Sequence, residues 1–202
     1  RSVVGGRGRE LLVFFVWIAG FGYLLPLVGN ATEDESPFAV AALSAAPPSE
    51  HLLGWIDSRK AQSLNGSWKI LVDPMQVGTP GSLFGGWATT RVPENEYQLL
   101  EYSYPSAADI RVPGDFNTQV DELLFYRDMV WYQRFFDVEI VPDKRYHLWF
   151  GATNFEATVF LNGSLIVQQK GGYVPFSVDV TEHVKADQND LVISVNNRLN
   201  AQ

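Results

Sequence analysis

Few groups in this chain could carry chemistry. Its 202 residues include no cysteine and three histidines, His51, His147 and His183. Without cysteine there is neither a thiolate nucleophile nor a disulfide, whatever the compartment. The histidines lie far apart and lack the short paired spacings that zinc ligation needs. They read as structural or surface residues, and the sequence implies no metal and no cofactor. Asn30, Asn65 and Asn162 each begin an Asn-x-Ser/Thr triplet. That pattern means glycosylation only in a source that glycosylates its exported proteins, and Asn162 has a competing role in a turn. The net charge of −8 comes with no basic stripe, so nucleic acid is not an expected partner.

The elements that must position such groups are strands. Apolar residues make up 46% of the chain and charged residues 19%, enough for a packed core. Trp68, Ile70 and Val72 alternate with Lys69 and Leu71. Tyr146, Leu148 and Phe150 alternate with His147 and Trp149, and Phe136, Val138 and Ile140 show the same period of two. Asn162-Gly163 sits between two such runs, and both residues can take the positive φ of a tight hairpin turn. Leu191 to Val195 reads as a last strand. Gly78 to Gly86 reads as loop. No segment past Leu64 keeps a period of 3.6. Many short strands at even spacing predict an all-β sandwich or jelly roll.

Ahead of the strands the pattern differs. Arg1, Arg7 and Arg9 precede an uncharged run from Leu11 to Val28, which reads as a signal peptide or a membrane-anchor helix over residues 1–31, with cleavage after Ala31. Residues 32–60 are acidic, then small, then Pro-rich, and read as a flexible spacer. The expected location is secreted or periplasmic, or anchored to a membrane.

Six segments over residues 64–199 carry a resemblance. These are Leu64-Asn65-Gly66-Ser67-Trp68, Val112-Pro113-Gly114-Asp115-Phe116-Asn117, Val130-Trp131-Tyr132-Gln133-Arg134, Val159-Phe160-Leu161-Asn162-Gly163, Gly171-Gly172-Tyr173-Val174-Pro175-Phe176 and Val195-Asn196-Asn197-Arg198-Leu199. In this order they resemble the N-terminal sugar-binding domain of family 2 glycoside hydrolases, and the last two lean toward β-glucuronidases over β-galactosidases. The resemblance implies a jelly-roll, galactose-binding-like β-sandwich over residues 61–202. It also implies that the two catalytic Glu of a retaining glycosidase lie on a later barrel of about 250 residues, for which this chain has no length. No catalytic residue is therefore expected here, and Asn95-Glu96, which resembles the family's acid/base pair, lacks the flanking residues. A carbohydrate substrate would be met through that missing domain, and the full-length enzyme could form a homo-oligomer.

Loop residues are the ones that could reach such a cleft. Tyr126 and Asp128, just before the Val-Trp-Tyr strand, are the sugar-facing candidates, for ring stacking and hydroxyl binding, with Asn117 as a third. Each has a plainer reading as an exposed or turn-capping residue. The alternative function is a free-standing carbohydrate-binding module without catalysis.

Overall fold

The computed structural model describes residues 11–17, 61–79, 86–92, 95, 97, 100 and 102–198. Ten strands appear in chain order: β1 (Leu11–Trp17), β2 (Ala61–Ser63), β3 (Gly66–Asp73), β4 (Ala108–Val112), β5 (Met129–Phe136), β6 (Arg145–Ala152), β7 (Glu156–Leu161), β8 (Ser164–Lys170), β9 (Phe176–Asp179) and β10 (Asn189–Asn196). A short helix, α1 (Phe116–Gln119), and a 3₁₀ turn, Asp121–Leu123, link β4 to β5. Six strands form one sheet in the order β4-β3-β5-β10-β7-β8, all pairings antiparallel. Four form the other, β2-β1-β6-β9. The expected all-β sandwich is the observed architecture.

The period of two sends alternate residues between the sheets. Trp68, Ile70, Val130, Tyr132, Leu148, Phe150, Ile193 and Val195 meet in the main core. Phe150 stacks on Phe176 at 4.5 Å with the rings 11° from parallel. Val72 and Ile140, expected in the same alternation, lie where β3 and β5 run out and are 37% and 46% exposed. The hairpin joins β7 to β8, with φ of 53° at Asn162 and 81° at Gly163. Asn162 does more than turn the chain. Its Nδ2 donates to the His183 carbonyl at 2.7 Å and to Asn189 Oδ1 at 3.1 Å, and its Oδ1 accepts the Asp190 N–H.

One expectation differs from the structure. Leu11–Trp17, placed in a signal or anchor helix by its lack of charge, is strand β1, parallel to both β2 and β6. Hydrophobicity alone does not separate a short helix from a buried strand, and this stretch is rich in the β-branched and aromatic residues that favour extended backbone. Among the described residues no helix is long and apolar enough to cross a membrane. The rest of the run, the cleavage position and the spacer 32–60 lie outside the described residues.

A second structural feature has no counterpart in the sequence reading. Residues 86–104, where described, form a strap across the outer face of the six-stranded sheet. Trp87 stacks on Tyr102 at 5.1 Å and leans on Trp131 at 6.0 Å; Trp131 in turn stacks on Phe160 at 6.0 Å. With Tyr104, Met129 and Val192 these rings make a second, smaller core. Trp131 and Tyr132 therefore serve opposite faces, as neighbours on a strand must.

Candidate functional site

The three loop candidates come together between β4 and β5. Asp115 caps α1, its Oδ1 accepting the Asn117 N–H at 3.0 Å. Asn117 then uses its side-chain amide to donate to the carbonyls of Leu123 and, at 3.0 Å, Tyr126. This ties the helix to the 3₁₀ turn. The Tyr126 hydroxyl donates to the Met129 carbonyl at 2.9 Å, and its ring meets Phe116 edge-on at 6.2 Å. Burial, and then the charges of Asp128 and Asp73, push its phenol well above the usual tyrosine range, so it stays protonated. Asp128 Oδ1 accepts both the Gln76 side-chain amide and the Met129 N–H at 3.0 Å. Phe125, at the tip of this loop, is 82% exposed. The Asn117 side-chain nitrogen and the Tyr126 hydroxyl are thus engaged in bracing the loop, as is one carboxylate oxygen of Asp128. Glu96 lies outside the described residues.

Two carboxylates that sequence reasoning missed organise the outer face. Asp73, at the end of β3, accepts the Val77 and Gly78 N–H groups and, from across the sheet, the Trp131 indole N–H at 3.0 Å. Asp190, at the start of β10, accepts the Thr90 N–H at 2.6 Å, both the Thr89 and Thr90 hydroxyls, and the Gln133 amide at 2.8 Å. Both are buried, and a buried carboxylate persists only where such donors replace water. Apart from Val77 and Gly78, which follow Asp73 closely, their partners lie tens of residues away in sequence, so no local pattern announces them.

Two of the six sequence segments turn out to hold one another. Gly66 has φ of 127°, a conformation that a side chain disfavours. Beside it, Arg134 of β5 donates from Nη1 to the Asn65 and Ser67 carbonyls at 3.1 and 3.2 Å. A Cβ at position 66 would sit 3.2 Å from that nitrogen. Trp68 closes the same corner by donating its indole N–H to the Leu64 carbonyl at 2.8 Å. Asp137, three residues on from Arg134, accepts the Gln188 N–H at 2.7 Å. Among the described residues no group of three or more His, Cys, Asp or Glu could hold a metal ion.

With this geometry in view, the comparisons with known proteins have a plain reading. A family profile described as "Glycosyl hydrolases family 2, sugar binding domain" matches residues 61–202, more than half of the chain. The chain belongs to this family. It is 32% identical over 152 residues to a β-glucuronidase of Paenibacillus borealis, covering 72% of this chain and 22% of that protein. It is 32% identical over 114 residues to rat β-glucuronidase, covering 50% of this chain and 17% of that one. Among solved structures, Ruminococcus gnavus β-glucuronidase superposes with a TM-score of 0.57 at 27% identity, over 69% of this chain and 21% of that chain. A β-glucuronidase from an uncultured Clostridium gives 0.54 at 32% identity, over 67% and 22%. The chain therefore spans about a fifth of the length of these relatives. Its glycoside hydrolase context is clear, and the family-bearing segments are the ones that build the six-stranded sheet and its corners.

Proposed function

We propose that this chain is the non-catalytic N-terminal domain of a retaining glycoside hydrolase acting on β-glucuronides. The observation that carries the reading is the combination of a family match over residues 61–202 with relatives named β-glucuronidase that extend far beyond it. In that enzyme the two catalytic carboxylates of a retaining mechanism belong to the part the chain does not span. The sandwich contributes a wall and braced loops. Of the three loop candidates, Asp128 keeps a carboxylate oxygen without a hydrogen-bond partner among the described residues, and the reading assigns it to a sugar hydroxyl.

The test is a pair of assays with a fluorogenic β-glucuronide. The 202-residue chain alone leaves it intact. The same chain, expressed together with the coding sequence that follows it, hydrolyses it and releases glucuronate first as the β-anomer. Turnover by the chain alone contradicts the placement of the catalytic pair. Export belongs to the same proposal, supported by Arg1, Arg7 and Arg9 ahead of the uncharged run from Leu11 to Val28. Cleavage after Ala31 would remove β1, so the mass of the mature protein decides between a leader and a structural strand for Leu11–Trp17.

A further inference from the structure

The sequence holds two Asn-Gly-Ser triplets, at residues 65–67 and 162–164. In an Asn-Gly pair the next backbone nitrogen can attack the asparagine side chain, because glycine has no Cβ to block the approach. As sequence the two sites are equal. The fold makes them different.

Asn162 is committed at the β7–β8 hairpin. Its Nδ2 donates to the His183 carbonyl at 2.7 Å and to Asn189 Oδ1 at 3.1 Å, and its Oδ1 accepts the Asp190 N–H at 3.1 Å. The Gly163 nitrogen can reach its Cγ only when these bonds are given up together. Three neutral hydrogen bonds lower the population of the freed side chain about 100-fold.

Asn65 is exposed, and among the described residues its side chain makes no hydrogen bond. It stands just outside β3, which begins at Gly66. Its main-chain carbonyl is the one that Arg134 Nη1 bonds at 3.1 Å. The Gly66 nitrogen belongs to that same peptide group. To attack, it must lose its proton, and amide resonance shares the resulting negative charge with the carbonyl oxygen. A charged donor on that oxygen stabilises the charge as it develops.

We propose that Asn65 is a site of spontaneous modification, converting to isoaspartate and aspartate, and that Asn162 in the same triplet is spared. The Gly66 nitrogen gives its proton to solvent and bonds to Asn65 Cγ. The bond from Cγ to the side-chain nitrogen breaks, and that nitrogen takes up a proton and leaves as ammonia. Water then opens the five-membered imide at either carbonyl. Water is the only co-reactant and nothing is oxidised or reduced. Opening at the main-chain carbonyl gives isoaspartate, which routes the backbone through the side chain and lengthens it by one methylene. The new carboxylate competes with the Ser67 carbonyl, 3.2 Å from Arg134 Nη1, for the guanidinium. The corner that Gly66, Trp68 and Arg134 close is loosened. None of this depends on the glycosidase reading.

The test is incubation of the 202-residue chain in mildly alkaline buffer, followed by tryptic mass spectrometry and isoaspartyl methyltransferase labelling. Lys60, Lys69, Arg145 and Lys170 place the two sites on separate peptides. Asn65 loses ammonia about 100-fold faster than Asn162 in the folded chain, the ratio set by the three bonds at Asn162. In concentrated urea the two rates converge. Asn65→Gln, whose longer side chain cannot close the five-membered ring, abolishes methyltransferase labelling of its peptide. Arg134→Gln slows the loss at Asn65 several-fold, and Arg134→Lys, which keeps the charge, slows it less. Equal rates at the two sites in the folded chain overturn the proposal, as does an unmodified Asn65 after Asn162 has reacted. Faster loss in Arg134→Gln overturns the part given to Arg134.

Discussion

The two faces of the six-stranded sheet are closed by different physics. The inner face packs against β6 and β9, with large apolar side chains such as Leu148 and Phe150 wholly buried. Its stabilisation scales with the area removed from water, about 25 cal/mol per Å². The outer face is covered by a strap with little regular structure, and aromatic rings alone do not fix it. Asp190 fastens it by accepting the Thr90 N–H and the Thr89 and Thr90 hydroxyls, while Asp73 holds the Trp131 indole beneath it and the N–H of Gly78, whose carbonyl accepts the Trp87 N–H. The difference is instructive. A period-two strand specifies one face cheaply, while covering the second face with a loop requires specific polar anchors, because the loop's own backbone groups must be satisfied as they are buried.

Substitutions can break or sharpen this contrast. The largest effect is expected in the inner core. Phe150→Ala should cost about 4 kcal/mol in chemical denaturation, through lost burial and the cavity left beside Phe176. A cost near that of an exposed site would mean that the sheets do not close on each other as described. Asp190→Ala comes next, at about 2–3 kcal/mol, because Thr89, Thr90 and Gln133 lose their common acceptor inside the fold. Limited proteolysis of this variant should nick the strap while the strands stay intact. Tyr104→Phe should cost about 1 kcal/mol. It removes the hydroxyl that donates to the Trp87 carbonyl at 2.8 Å and keeps the ring.

The smallest effect belongs to acid. Burial pushes the Asp179 carboxyl up, but hydrogen bonds from the Thr181 hydroxyl and N–H, with the charges of His147 and Arg145, outweigh it and leave the pKa lowered. A carboxyl with a depressed folded pKa contributes stability that is fully present above its unfolded value of about 3.9 and is lost as pH falls through the folded value. Asp179 lies on β9 of the four-stranded sheet, away from the strap. Asp179→Asn should therefore flatten the acid limb of the stability profile below about pH 4 and leave strap protection unchanged. An acid limb identical to that of the unsubstituted protein would remove this contribution.

How much of this was legible beforehand follows the same division. Trp68 and Ile70, or Tyr146, Leu148 and Phe150, announce an inner face because their spacing matches the pleat. Asn162-Gly163 announces its turn by the φ values those residues tolerate. The strap was not legible. Trp87, Tyr102 and Tyr104 fall in a stretch without period, and Asp190 finds its strap partners, Thr89 and Thr90, about 100 positions away. Nor could Leu11–Trp17 be told from a helix by hydrophobicity alone. The candidate site sits between these cases. Loop position identified Tyr126, Asp128 and Asn117, and the structure gathers them in one loop. It also shows bonds to Leu123, Met129 and Gln76 that spacing could not reveal.

Amide hydrogen exchange on the 202-residue chain, compared with Asp190→Ala, tests the two-core account most directly. The account predicts that amides of β5 and β10 exchange only through global opening in both proteins, while those of Trp87 to Thr90 lose their protection in the variant and in it alone. Strap and strands exchanging together in both proteins, with equal loss of protection in the variant, would contradict it.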